Sequence, residues 1–216
     1  MILLVAATTM EMDAFVAACP KAPVQRLVCG VGPMEAAFWL GLFLAEAQSR
    51  GSLPELVLNI GVAGAYVRPE GPGLLDLCLA TQEHLGDLGK CEAGRLLPLT
   101  CKTNSSFSLS VRARGRLAER LEQNKESVFS GPFLTVNCVS GDRMRADMLL
   151  SRFPEALCEN MEGAGLALAC SNYNVRFAEL RCISNMVDDP ERQNWRLKEA
   201  VQRCGKAAAS LFQEEL

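Results

Sequence analysis

Histidine is nearly missing from this chain: His84 is the only one in 216 residues. Zinc sites draw on closely spaced Cys and His, and the ten cysteines are scattered without one Cys-x-x-Cys pair. A metal centre is therefore not expected, and His84 reads as an ordinary surface histidine. Long apolar runs are missing too. The longest, Ala36 to Ala45, is closed off by Glu35 and Glu46 and is too short to span a bilayer. Positive charge is not in excess. A net charge of -3 gives no electrostatic reason to expect nucleic acid or an anionic membrane as partner. The N-terminus has no basic n-region, and acids arrive at Glu11 and Asp13, which argues against a signal peptide and for the cytoplasm. In that setting a disulfide framework does not fit, and most cysteines are expected to be small buried apolar residues.

What the chain does have is apolar material, 49% of its residues, enough for one sizeable core. Ile2–Ala7 is a short continuous apolar run, the pattern of a strand buried on both faces, and Val24–Cys29 and Leu56–Ile60 read as the next two strands. Further strands are expected at Leu74–Ala80, Phe133–Ser140 and Arg176–Ile183. Helices are expected from about Met10 with Thr9 as cap, from Pro33 to about Arg50, over Ser108–Gln123, along the small-residue run after Glu162, and over Trp195–Leu211. Segment Gln82–Pro98 is polar and glycine-bearing and matches neither pattern. Strand and helix alternate without repeat or linker, which predicts one α/β domain over 1–216 around a mixed or parallel sheet.

Several strands end in Gly, Ser, Asn or Glu, so the carboxyl edge of the sheet is the expected site. Glu162 opens an apolar helix, where a carboxylate needs a polar partner, either a structural Arg or a ligand. Glu11 follows the first strand, where a first helical turn also favours an acid for its dipole alone. Gly30-Val31-Gly32-Pro33 and Gly61-Val62-Ala63-Gly64 look like turns that bring backbone close to a ligand. The first lacks the third glycine of a dinucleotide fingerprint.

Taken together, Thr8-Thr9-Met10-Glu11, Gly30-Val31-Gly32, Asn59-Ile60-Gly61-Val62-Ala63-Gly64, Val139-Ser140-Gly141-Asp142, Asn160-Met161-Glu162-Gly163-Ala164 and Arg181-Cys182-Ile183-Ser184-Asn185 resemble the purine nucleoside phosphorylase and nucleosidase superfamily. They stand in that family's order and span nearly the whole chain. Each is weak alone; six in sequence are specific. The resemblance is to the hydrolytic branch, the methylthioadenosine/S-adenosylhomocysteine nucleosidases and futalosine hydrolases. It implies a twisted mixed sheet bending towards a barrel and flanked by helices, a homodimer or larger assembly, a small nucleoside as substrate, and no cofactor.

It also implies roles. Met161 and Glu162 match the pair that holds the ribose, where an anion also favours the oxocarbenium character of the transition state. Glu11, or Asp13 two residues on, matches the acid that activates water, a contribution of typically ~10²–10⁴-fold. Arg181 matches the Arg that organises water and carboxylates, and Val62, Ala63, Gly64, Asp142, Arg143, Asn160 and Ser184 fall in motifs that line the substrate. Asn185 departs from the adenine-specific nucleosidases, which carry Asp there as proton donor to purine N7. An amide donates a hydrogen bond instead, which suits a 6-oxopurine, and such patterns discriminate by ~10⁴–10⁵-fold. Val62, in Gly-Val-Ala-Gly-Ala, and the tail from Ser184 through Arg192 and Trp195 resemble the futalosine branch. Arg143, Arg145, Arg192, Arg196 and Trp195 are candidates to meet a benzoate-bearing 5′ arm. Neither glycine-rich stretch adds the Arg or Ser of a phosphate cradle, which favours water over phosphate as nucleophile.

Overall fold

A computed structural model describes residues 1–189, 191 and 194–212. In chain order the elements are β1 (Ile2–Ala6), α1 (Thr9–Ala18), β2 (Val24–Val28), α2 (Pro33–Ser49), β3 (Leu56–Ala65), β4 (Leu77–Leu85), β5 (Lys90–Glu92), β6 (Arg95–Leu97), β7 (Ser106–Ser108), α3 (Val111–Gln123), β8 (Val128–Thr135), α4 (Arg143–Arg152), β9 (Cys158–Asn160), α5 (Gly163–Asn172), β10 (Arg176–Met186) and α6 (Leu197–Ser210).

Continuous apolar runs become parallel strands because helices cover both faces of the sheet. Strands β2, β1, β3 and β10 run parallel side by side. Beyond β10 the sheet turns back through antiparallel β4, parallel β8 and β9, and antiparallel β9 returns to β3. Five strands thus close into a ring, with β1 and β2 as a wing on β3 and short β7 on β4. One core holds Leu3, Val5 and Val57 against Ala36, Leu40 and Leu44 of α2 and Leu166 and Cys170 of α5. A second holds Leu4, Leu58 and Leu180 against Phe15 of α1, Leu117 of α3 and Cys204 of α6. No described helix is long and apolar enough to cross a membrane. This is the mixed, barrel-like, helix-flanked α/β domain expected from the motifs.

Several boundaries differ, each for a physical reason. Gly61-Val62-Ala63-Gly64 is not a turn but the upper half of β3, paired with β10 as far as Ala65. Its glycines make room rather than a bend: a Cβ on Gly61 would stand 2.6 Å from both Arg181 Nη1 and Glu11 Oε1. The strand expected at Phe133–Ser140 lies earlier, over Val128–Thr135, because Pro132 sits where the β4–β8 register shifts and needs no ladder N–H. Helix α1 is capped by Thr8, not Thr9. The polar stretch Gln82–Pro98 splits into the end of β4 and the β5–β6 hairpin. His84 is half-buried rather than on the open surface, tilted over Phe153 and bonded to the Ser106 hydroxyl, and burial lowers its pKa.

Candidate active site

The site is assembled where β1, β3 and β10 end. Thr8 and Glu11 form a capping box: Glu11 N bonds the Thr8 hydroxyl oxygen, and Thr8 N donates back to Glu11 Oε2 at 3.0 Å. The Thr8 hydroxyl also donates to Oε2, at 2.7 Å, and Val62 N donates to Oε1 at 3.2 Å. The Glu11 carboxylate is therefore fixed from α1 and from β3 at once. Asp13 lies on the exposed side of the same helix.

Glu162 occupies the N-cap position of α5 but caps nothing. Its carboxylate turns inward, accepting from Arg181 Nη2 at 3.1 Å and from Gly32 N at 3.2 Å. The backbone cap is made instead by Asn160, whose Oδ1 accepts from the N–H groups of Glu162 and Gly163 at 2.9 and 2.8 Å. Gly32, at φ 98°, holds the left-handed geometry that turns its N–H towards Glu162.

Arg181 is 1% exposed and is the hub. Nε donates to Glu179 Oε1 at 2.8 Å, Nη1 to Val62 O at 3.2 Å, and Nη2 to Asn160 Oδ1 at 3.2 Å. Burial alone would lower its pKa; Glu179, Glu162 and Glu11 outweigh that and raise it, so the guanidinium stays charged. Cys29, beside this cluster, is pushed up to about 12 by burial and then by Glu162.

In β10 the register slips at Ser184, between Ile183 and Asn185. A bulge re-aims the next side chain, and the Ser184 hydroxyl donates to Asn185 Oδ1 at 2.9 Å. The same hydroxyl also lies 3.3 Å from Ala63 O, and Asn185 Nδ2 reaches Met186 O at 3.5 Å.

These groups enclose a cavity of about 230 Å³. Of the residues expected at the site it is lined by Glu11, Val62, Ala63, Gly64, Asn160, Met161, Glu162, Arg181, Ser184, Asn185 and Trp195. Asp142 and Arg143 do not line it. Asp142 caps α4 through Arg145 N at 2.8 Å, and Arg143 lies on the exposed face of that helix, paired with Asp147 at 3.5 Å. Among the other proposed cations, Arg145 pairs with Asp87, Arg196 pairs with Glu199, and Arg192 lies outside the described residues. The cavity also includes Thr8, Val31 and Val139, motif residues to which no role was given, and Glu159, which lies outside the motifs. Glu159 accepts from Ser140 N at 2.6 Å, the Ser140 hydroxyl at 2.7 Å and the Tyr66 hydroxyl at 2.9 Å; burial raises its pKa against those bonds. No group of three or more His, Cys, Asp or Glu among the described residues is placed to hold a metal ion. Chemically, the arrangement offers the Glu11 carboxylate, the Glu162–Arg181 carboxylate–guanidinium pair and the Asn185 amide on one cavity.

Comparison with known proteins agrees with this fold. A family model of the phosphorylase superfamily matches residues 9–214. The chain is 35% identical over 197 residues to futalosine hydrolase of Thermus thermophilus, covering 88% of this chain and 81% of that one. It is 32% identical over 185 residues to futalosine hydrolase of Streptomyces coelicolor, covering 86% and 77%. Its fold superposes on futalosine hydrolase of Helicobacter pylori with a TM-score of 0.82 at 18% identity, over 97% of this chain and 96% of that one.

Proposed function

Since the chain belongs to the phosphorylase superfamily and to its futalosine hydrolase branch, and is accordingly an N-glycosidase, we propose that it cleaves futalosine with water. The products are hypoxanthine and dehypoxanthine futalosine, a step in the futalosine route to menaquinone. The observation that carries this reading is Asn185, an amide donor rather than a carboxylate in the lining of the cavity that also holds Met161 and Glu162. That donor suits purine N7 or a 6-oxo group. A carboxylate there would set acceptor against acceptor on a 6-oxopurine.

In this reading Met161 and Glu162 hold the ribose, and the anion at Glu162 favours positive charge developing on the sugar. Glu11 takes the proton of the attacking water as the bond to the purine breaks; the purine leaves as its anion or takes a proton from solvent, and Asn185 bonds it without protonating it. Arg181 holds Glu162 and the Val62 carbonyl in register. Water rather than phosphate is supported by how the glycine-rich backbone is used. The Gly32 N–H, which a phosphate would need, is bonded to Glu162, and the guanidinium of Arg181 is bonded throughout to protein oxygens. Trp195, Leu197 and Val201 supply an apolar slot for the 5′ arm.

We also propose a homodimer or larger assembly. Met34, Phe38 and Leu42 lie four residues apart on α2, are exposed, and are flanked by Val31 and Trp39. A second copy of the same face is the simplest cover for such a stripe.

Base release from futalosine, inosine and methylthioadenosine, each with and without phosphate, tests the reaction. Hypoxanthine from futalosine at a rate indifferent to phosphate is expected. Adenine from methylthioadenosine, with futalosine untouched, would overturn the substrate.

A further inference from the structure

Beneath the cavity lie two carboxyl groups for which the reaction above has no use. Glu83 on β4 and Glu179 on β10 are 0% and 1% exposed. A Cβ on Gly163 would collide with Glu83 Oε1 and stand 2.6 Å from Glu179 Oε2, so one oxygen of each borders the same point under the start of α5. No donor among the described residues reaches Glu179 Oε2, so the partner this buried oxygen lacks is a bond from Glu83. Two carboxylates are acceptors only, so such a bond requires a proton.

Their other partners say which group carries it. Glu179 Oε1 receives Arg181 Nε at 2.8 Å and Asn59 Nδ2 at 3.0 Å. No cation among the described residues pairs with Glu83; it receives the Thr135 hydroxyl at 2.7 Å and Asn160 Nδ2 at 2.6 Å. The other titratable groups around the pair are the thiols of Cys158 on β9 and Cys78 on β4, kept protonated by burial, with Glu162 and Glu11 acting on Arg181. Like charges in one buried site cannot both persist, and the carboxyl nearest a guanidinium is the one that ionises.

We propose that Glu83 and Glu179 share one proton, with Glu83 the acid and Glu179 the anion, and that this pair is the positioning element that aims both Arg181 and the first turn of α5 at the cavity. Two chains of bonds run from it. On one side Glu179 holds Nε, which leaves the Nη groups to Val62, Asn160 and Glu162. On the other, Thr135 Oγ1 accepts from Ala164 N at 2.7 Å, and Asn160 Oδ1 accepts from Glu162 N and Gly163 N. With those acceptors occupied, the Thr135 hydroxyl proton and the Asn160 N–H are directed at Glu83. The helix turn that carries Glu162 and the guanidinium that pairs with it are thus held from a common point.

The inference rests on Arg181 and Glu162 being working groups of the site, and its test separates the two questions. Infrared difference spectra of the substrate-free protein at neutral pH are expected to show a protonated carboxyl that disappears in Glu83→Gln. Activity is then measured with whichever nucleoside the wild type cleaves. Glu83→Leu removes the donated bond and is expected to lower kcat. Glu83→Gln restores a donor and is expected to return kcat to within about threefold of wild type. Glu179→Gln is expected to lower kcat by ~10–100-fold, the scale on which groups that orient a functional side chain act, with a smaller change in KM. A protonated carboxyl that survives in Glu83→Gln, or Glu83→Gln as damaged as Glu179→Gln, overturns the assignment. Should Glu179→Gln not fold, the spectrum and the Glu83 pair decide alone.

Discussion

Thr8 and Glu11 each complete the other's hydrogen bonds: the hydroxyl of Thr8 caps the helix at Glu11 N, and Glu11 returns its carboxylate to Thr8 N and Oγ1. The acid proposed to activate water is therefore also the third residue of a capping box. Stability and activity should fail together when the box is opened. Thr8→Ala is expected to cost about 1 kcal/mol of stability and to lower kcat by more than that loss of folded protein explains. Thr8→Ser should restore both. Urea unfolding alongside kcat measured well below the transition checks it; unchanged kcat in a destabilised Thr8→Ala would detach Glu11 from its cap.

Asn185→Asp should reverse the choice of base. The Ser184 hydroxyl still has an oxygen to bond, but the amide donor is replaced by an acceptor, or by a proton donor when protonated. Release of hypoxanthine from futalosine is expected to fall steeply, towards the ~10⁴-fold scale of mismatched hydrogen-bonding sites, while adenine nucleosides gain. Equal loss on both bases would mean that Asn185 shapes the bulge rather than reads the purine.

Glu83 carries a pH dependence of stability whose sign is fixed. Burial, and then the charge of Glu179, raise its folded pKa well above the carboxylate range, while the unfolded value is near ~4.3. Below ~4.3 both states hold the proton and there is no penalty. As pH rises towards the folded value the unfolded chain releases the proton and the folded one keeps it, so stability falls by up to ~1.4 kcal/mol per pH unit. Glu83→Gln has no proton to release. Its Tm should therefore gain on the wild type as pH is raised from about 5 to about 8; parallel Tm curves would place the proton elsewhere.

The exposed stripe on α2 predicts self-association. Phe38, 62% exposed and edge-on to Trp39, is its centre. Phe38→Glu should shift the protein to a smaller species in sedimentation without lowering its Tm as a monomer. A wild type that sediments as a monomer at micromolar concentration would remove the need for a partner.

The parts of the site visible in the sequence are those where a parallel strand empties into polar residues: Glu11 after β1, Asn185 on β10, and Glu162 at the head of an apolar helix whose charge demanded a partner such as Arg181. The parts that were hidden have a common cause. Glu179, Asn59 and Thr135 are single polar residues in otherwise apolar strand segments, where a lone polar residue is normally turned to solvent, and Glu83 lies in the polar run Thr81–His84, which showed no strand pattern. Only the closed ring turns all four inward, against partners 52 to 120 positions away, as in the Thr135–Glu83 and Asn59–Glu179 bonds. Asp142 and Arg143 do not line the cavity because the polar stretch there is helix α4, which Asp142 caps and Arg143 opens.

Closing five strands into a ring has a consequence for the protein's behaviour in a crowded cell. An open sheet ends in two rows of unpaired amides that can template another chain. Here the sheet's outermost strands are β2 and the three-residue β7. On β2, Gln25 and Arg26 are exposed, and the Arg26 guanidinium folds back to Pro20 O at 3.0 Å. The arrangement that turns four polar side chains inward also leaves little edge for another molecule's strand to join, so the ring guards the protein against aggregation.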